Sequence, residues 1–269
     1  MEINGQTFNL ETAGDGAPLV LLHGFTGSAA NWHPHVSVFS RHFRTMAIDL
    51  LGHGASASPP EAARYSMTHC TADVNGILTA LQVDSAAVLG YSLGGRVALS
   101  FAINYPERVS HLLMVSGSPG LASAEERATR VASDEALASQ IERDGLEAFV
   151  DYWENIPLFA SQKGLPAAVR AALRQQRLQN NAHGLANNLR GLGAGAQPSL
   201  WERLHEVTVP TLLLAGERDT KFVNIARQMA TRLPNARLEI VPGAGHAVQL
   251  EKPGFFQNSV LNFLSGIRG

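Results

Sequence analysis

Short apolar runs alternate with segments of helical spacing along most of this chain. Pro18–Leu22, Arg44–Ile48, Ala86–Leu89, Leu112–Val115, Thr211–Ala215 and Arg237–Val241 are each four or five residues long and largely apolar. Such runs predict strands buried on both faces. Between them, Asn31–Phe39, Met67–Leu81, the stretch from Arg96 to Asn104, Phe222–Leu233 and Pro253–Ile267 carry helical periodicity. Tyr105-Pro106 ends the third of these, because proline cannot continue a helix. Glu2–Thr12 alternates loosely and predicts one or two edge strands. Strands alternating with helices predict βαβ units and a mostly parallel central sheet flanked by helices, an α/β protein.

The alternation breaks after Gly120. From 121 to 200 only helical patterns and Gly/Pro punctuation appear. The expectation is an α/β core formed by 1–120 and 201–269, with an all-helical lid, 121–200, inserted over the strand ends. Charge divides the lid. Residues 121–154 carry nine acidic residues against Arg127, Arg130 and Arg143, whereas 155–200 hold no acidic residue and five cations, Lys163, Arg170, Arg174, Arg177 and Arg190. Arg170, Arg174 and Arg177 are spaced to share one helix face. An acid-free basic half suggests a lid that closes over an anion. Arginine is also this chain's habitual cation, since only three of the 21 basic residues are lysine.

A formal net charge of −2 gives no electrostatic case for nucleic acid or an anionic membrane. The single cysteine, Cys70, rules out an internal disulfide and a cysteine metal cluster. Ten histidines are present, but no zinc-binding spacing, so neither metal nor cofactor is expected. Met1-Glu2-Ile3-Asn4-Gly5 lacks the start of a secretory leader, and no apolar run reaches a membrane span. A cytoplasmic protein is expected, as a monomer or small homo-oligomer with a small-molecule substrate.

Gly90-Tyr91-Ser92-Leu93-Gly94-Gly95 lies between an apolar run and a helical pattern. Strand, sharp turn and helix are the context that gives G-x-S-x-G its chemical meaning. A serine hydroxyl is a weak nucleophile and a weak base. It needs an imidazole beside it, and the imidazole needs an acceptor on its other nitrogen. The loop after Thr211–Ala215 supplies Gly216-Glu217-Arg218-Asp219, and the loop after Arg237–Val241 ends in Gly245-His246. Asp219 is the candidate carboxylate, with Glu217 second, and His246 the candidate base. Both follow strand ends, where open α/β sheets build their sites. His23 and His53 read as loop-packing residues. Charge developing on a substrate oxygen needs preorganised donors. The backbone N–H groups of Leu93 and Phe25 are the candidates.

Taken together, His23-Gly24-Phe25, Asp49-Leu50-Leu51-Gly52-His53-Gly54-Ala55-Ser56, the Ser92 turn, Gly216-Glu217-Arg218-Asp219 and Gly245-His246 resemble the α/β-hydrolase superfamily over nearly the whole chain. Arg96 behind the turn, Asp151-Tyr152-Trp153, Pro157-Leu158-Phe159, Arg177-Leu178-Gln179-Asn180, the stretch from Leu189 to Trp201, and Lys221-Phe222 carry a narrower resemblance. It is to the 2-succinyl-6-hydroxy-2,4-cyclohexadiene-1-carboxylate synthases of menaquinone biosynthesis. That resemblance implies a lyase. Its substrate is 2-succinyl-5-enolpyruvyl-6-hydroxy-3-cyclohexene-1-carboxylate, a ring proton is abstracted, and the enolpyruvyl group leaves as pyruvate. In that family the serine, activated by histidine, serves as the base, which implies that role for Ser92 and His246. The residues alone leave base and nucleophile open for Ser92. The oxyanion donors are then implied to face the succinyl carbonyl oxygen. Three substrate carboxylates account for arginines, which hold a carboxylate through two parallel hydrogen bonds. By position, Arg96, Arg130 and Arg177 are implied to bind substrate, Trp153 and Phe159 to wall the pocket, and Tyr91 to lie beside Ser92. The alternative is a hydrolase on the same triad, a carboxylesterase or a carbon–carbon bond hydrolase.

Overall fold

The computed structural model describes residues 1–267. Its strands are β1 (Glu2–Ile3), β2 (Gln6–Thr7), β3 (Leu10–Ala13), β4 (Ala17–Leu22), β5 (Phe43–Ile48), β6 (Ala86–Tyr91), β7 (Val109–Val115), β8 (Thr211–Gly216) and β9 (Ala236–Val241). The helices are α1 (His33–Phe39), α2 (Met67–Ala80), α3 (Leu93–Asn104), α4 (Ala124–Trp153), α5 (Ala167–Leu178), α6 (Ala182–Leu192), α7 (Thr220–Ala230), α8 (Val248–Glu251) and α9 (Pro253–Phe263). Seven strands form one sheet in the order β3-β5-β4-β6-β7-β8-β9. Only β3 runs antiparallel to its neighbour.

The continuous apolar runs have a direct physical reason. Side chains alternate across a strand, and here both sheet faces are covered. In β4, Leu19 and Leu21 enter one core layer with Trp32, Phe39 and Phe256 of the α1 and α9 side. Val20 and Leu22 enter the other, with Ile77, Val97, Phe101 and Met229 from α2, α3 and α7. Each such side chain fully buried contributes about 1.5–3 kcal/mol.

Four element readings are corrected. Glu2–Thr12 yields three short strands, and the first two pair only with each other as a separate hairpin. β7 begins at Val109, earlier than its apolar run, because half-buried Ser110 and His111 interrupt the pattern. α7 begins at Thr220, since the Asp219 side chain caps it, and the C-terminal helix stops at Phe263 before a short turn at Ser265–Ile267.

Between β7 and β8 the described elements are all helical. α4 opens on a capping box in which the Glu126 N–H donates to Ser123 Oγ at 3.0 Å and the Ser123 N–H to Glu126 Oε2 at 3.1 Å. It kinks at Gly145, whose φ of 85° no helix accommodates. A 3₁₀ segment, Pro157–Gly164, joins it to α5 and α6. Ile141, Phe149 and Val150 of α4 pack with Leu185 and Leu189 of α6 in an apolar cluster of their own. The insertion's two ends meet: the Leu200 N–H donates to the Pro119 carbonyl at 2.7 Å.

Candidate active site

Ser92 occupies a one-residue turn between β6 and α3 with φ 51° and ψ −106°. Positive φ in a non-glycine residue costs about 1–3 kcal/mol and persists only where the surroundings enforce it. They do so here. A Cβ on Gly90 would overlap the Gly94 carbonyl, and one on Gly94 the Leu22 carbonyl, so strand and helix close on each other without side chains. The Ser92 N–H donates to the Val115 carbonyl at 2.9 Å and ties the turn to β7.

Ser92 Oγ lies 3.0 Å from His246 Nε2, and His246 Nδ1 lies 2.6 Å from Asp219 Oδ2. A carboxylate accepts only, so Nδ1 carries the ring hydrogen and Nε2 presents a lone pair to the serine proton. Asp219 Oδ1 accepts the Phe222 N–H at 3.4 Å, so one side chain caps α7 and orients the imidazole. The His246 ring is buried against Phe222 and Tyr91, with centroids 4.6 and 5.5 Å away. Ser116 Oγ donates to the His246 carbonyl at 2.8 Å and pins its loop. Glu217 points elsewhere, accepting the Gly243 N–H at 2.8 Å.

Among the described residues, neither the Phe25 nor the Leu93 N–H has a hydrogen-bond partner, and both residues line the chamber above Ser92. The peptide that carries the Phe25 N–H is held from its other side. His23 Nδ1–H donates to the Gly24 carbonyl at 2.8 Å, the Gly27 N–H donates to the same oxygen at 2.9 Å, and the Leu50 N–H donates to His23 Nε2 at 3.0 Å. Burial lowers the His23 pKa and keeps the ring neutral, as this arrangement requires. His53 packs beside it, 4.9 Å between ring centroids, and is also held neutral by burial. Both are loop-packing residues.

The chamber encloses about 320 Å³ and is lined by Ser92, His246, Tyr91, Trp153, Phe159, Arg96 and Arg130 among others. Arg96 is held by neutral acceptors: Nη1 donates to Gln197 Oε1 and Nη2 to the Leu192 carbonyl, both at 2.8 Å. Burial, then the neighbouring charge of Arg130, brings its pKa down to about 10, still well above neutrality. Arg130 Nε donates to Asp134 Oδ1 at 2.7 Å. Arg177 is not in this chamber. It lines an adjacent cavity of about 270 Å³, which shares Phe25, Tyr91 and Phe159 with the first. Its guanidinium lies over the Phe159 ring at 5.4 Å, and its Nε is buried with no acceptor. Gln197 and Lys221 stand in stretches that carry the resemblance but received no site role, and Asn188 was not singled out; Asn188 and Lys221 line the chamber. Lys221 had a usable signal, standing two residues after Asp219. Asn188 had none, and the role of Gln197 had none either, since only the folded insertion brings it to Arg96.

A mostly parallel sheet with serine, carboxylate and imidazole at the ends of β6, β8 and β9 defines a class, and the chain belongs to the alpha/beta hydrolase fold family, whose family profile matches residues 17–253. Within that fold it falls with the 2-succinyl-6-hydroxy-2,4-cyclohexadiene-1-carboxylate synthases. It is 37% identical to the enzyme of that name from Salmonella paratyphi C (strain RKS4594), over 93% of this chain and 94% of the relative. It is 48% identical to a Bacillus subtilis (strain 168) protein that carries the name provisionally, over 93% of this chain and 90% of the relative. The solved structure of MenH from S. aureus superposes with a TM-score of 0.92 at 38% identity, covering 96% of this chain and 98% of that one.

Proposed function

We propose that this chain is the lyase that eliminates pyruvate from 2-succinyl-5-enolpyruvyl-6-hydroxy-3-cyclohexene-1-carboxylate, giving 2-succinyl-6-hydroxy-2,4-cyclohexadiene-1-carboxylate in menaquinone biosynthesis. The 48% identity across 93% of the chain carries the reading. Its chemical support is a chamber that holds two guanidinium groups, Arg96 and Arg130, beside the Ser92 hydroxyl. An ester hydrolase for uncharged substrates has no use for them, whereas a substrate with three carboxylates does.

The names of substrate and product define the bond changes. His246 Nε2 takes the proton of Ser92 Oγ, and Oγ takes the proton from the ring carbon that bears the succinyl ketone. The C–H electron pair forms the C2=C3 double bond, the former C3=C4 pair moves to C4=C5, and the C5–O bond breaks. Enolpyruvate leaves, receives the proton from His246 and becomes pyruvate. The ketone has carbon on both sides and offers no oxygen leaving group, so no acyl-enzyme is needed. Charge that builds on the ketone oxygen is met by the Phe25 and Leu93 N–H groups. Asp219 holds the imidazole tautomer and stabilises its cation. Arg96, Arg130 and, from the adjacent cavity, Arg177 hold carboxylates. Trp153, Phe159 and Tyr91 wall the ring. Residues 1–120 and 201–269 act as core and 121–200 as lid. The enzyme is cytoplasmic, a monomer or small homo-oligomer, in keeping with one cysteine and bacterial biosynthetic relatives.

The test is to supply the enolpyruvyl substrate and follow pyruvate with a coupled dehydrogenase. Rapid release is expected, and Ser92→Ala should reduce it about a thousand-fold or more. Burst cleavage of p-nitrophenyl esters with no pyruvate from the natural substrate would hand the site to the hydrolase reading.

A further inference from the structure

The three arginines of α5 do not share one fate. Arg174 is consumed within the protein, with Nη1 2.7 Å from Asp151 Oδ1 and 2.9 Å from Glu154 Oε1. Arg170 and Arg177 have no ion-pair partner among the described residues, and neither has Lys163 on the facing 3₁₀ segment. These three free cations line one surface cavity of about 320 Å³. Its one carboxylate, Glu154, is held by Arg174.

The cavity does not stand alone. Phe159, Gln162, Leu173 and Arg177 line both it and the apolar inner cavity. The inner cavity in turn shares the rings of Phe25, Tyr91 and Phe159 with the Ser92 chamber. A file of cations therefore runs from exposed Lys163 and Arg170, through buried Arg177, to Arg96 and Arg130. Phe159 stands at the inner end, its ring centroid 5.7 Å from that of Trp153 and 6.1 Å from that of His246.

We propose that the cavity between Pro157–Gly164 and α5 is the substrate entrance, and that Lys163 and Arg170 are the first groups to meet an incoming polycarboxylate. The inference rests on the lyase reading and extends it from the chamber to the surface. Cations at a mouth with low-dielectric walls concentrate anions and speed encounter. Exposed ion pairs bind weakly, which suits a stop that must also release. Arg177, desolvated and short of an acceptor at Nε, draws the carboxylate inward, and displacement of the Phe159 ring opens the last wall.

The experiment compares the wild type with Lys163→Ala/Arg170→Ala, and with Arg41→Ala/Arg227→Ala, which removes the same charge elsewhere on the surface. Pyruvate release is measured from low to 0.5 M NaCl, with melting temperatures as the control for folding. The expected result for the entrance variant is a fall in kcat/KM of about threefold to tenfold at low salt. Its kcat should hold, and the gap to wild type should close as salt screens the field. The distant pair should behave as wild type. An entrance variant with the wild-type kcat/KM and salt slope overturns the entrance, and so does an equal loss in the distant pair. Absence of pyruvate release from the wild type itself overturns the lyase reading, and the entrance with it.

Discussion

The guanidinium of Arg96 is held in the Ser92 chamber by a carboxamide and a carbonyl, with no carboxylate in ion-pair range among the described residues. Neutral acceptors fix its direction and leave its charge unspent for the substrate. Gln197→Glu keeps the acceptor and adds a resident anion that competes with the substrate carboxylate. KM should rise tenfold or more while kcat changes less, read by pyruvate release across substrate concentrations. Asp219→Asn preserves shape but no longer fixes the imidazole tautomer, and kcat should drop about 10⁴-fold at neutral pH. Ser92, His246 and Asp219 were legible in the sequence because each stands at a strand end within a short local pattern. Gln197 was not, because it meets Arg96 only after 101 residues of chain fold back. Arg177 was legible as a lid cation, but spacing alone could not say which of two cavities it enters.

At the scale of elements, the turn around Ser92 depends on two backbones touching. Gly94→Ala forces a Cβ into the Leu22 and His23 carbonyls, both backbone atoms that cannot swing away. The expected cost is about 1–3 kcal/mol or more, seen as a lower urea midpoint, together with loss of activity as the elbow shifts. Ser123→Ala removes the cap of α4 and should cost about 1 kcal/mol, in the insertion more than in the sheet. Amide exchange should show faster opening at 124–130 with β4 and β6 unchanged. The sheet was readable because strands buried on both faces are apolar at every position. β7 was read short since its first half is polar enough to break the run, and the β1–β2 hairpin was hidden because two-residue strands leave no periodicity.

Acid should loosen the molecule as a whole before it disables any single contact. His35 is buried against Trp32 and Phe256, and its pKa is lowered by burial to about 4, against 6.5 when unfolded. The unfolded chain takes up that proton first. Stability is therefore complete above pH 6.5 and drains as pH falls towards 4, by about 2 kcal/mol at pH 5 from this group alone. His23 and His53, also lowered by burial, act in the same direction. Urea midpoints at pH 7.5, 6 and 5 should decline in order, and His35→Gln should flatten the trend. A different consequence follows from the hydrogen bond between Pro119 and Leu200. Because the stems of the helical insertion touch at their base, it should be removable or exchangeable as a cassette without rethreading a strand. Splicing a two- or three-residue bridge across that joint should leave a hydroxyl, an imidazole and a carboxylate open to water on an intact platform, and a foreign roof fitted there would bring its own choice of substrate.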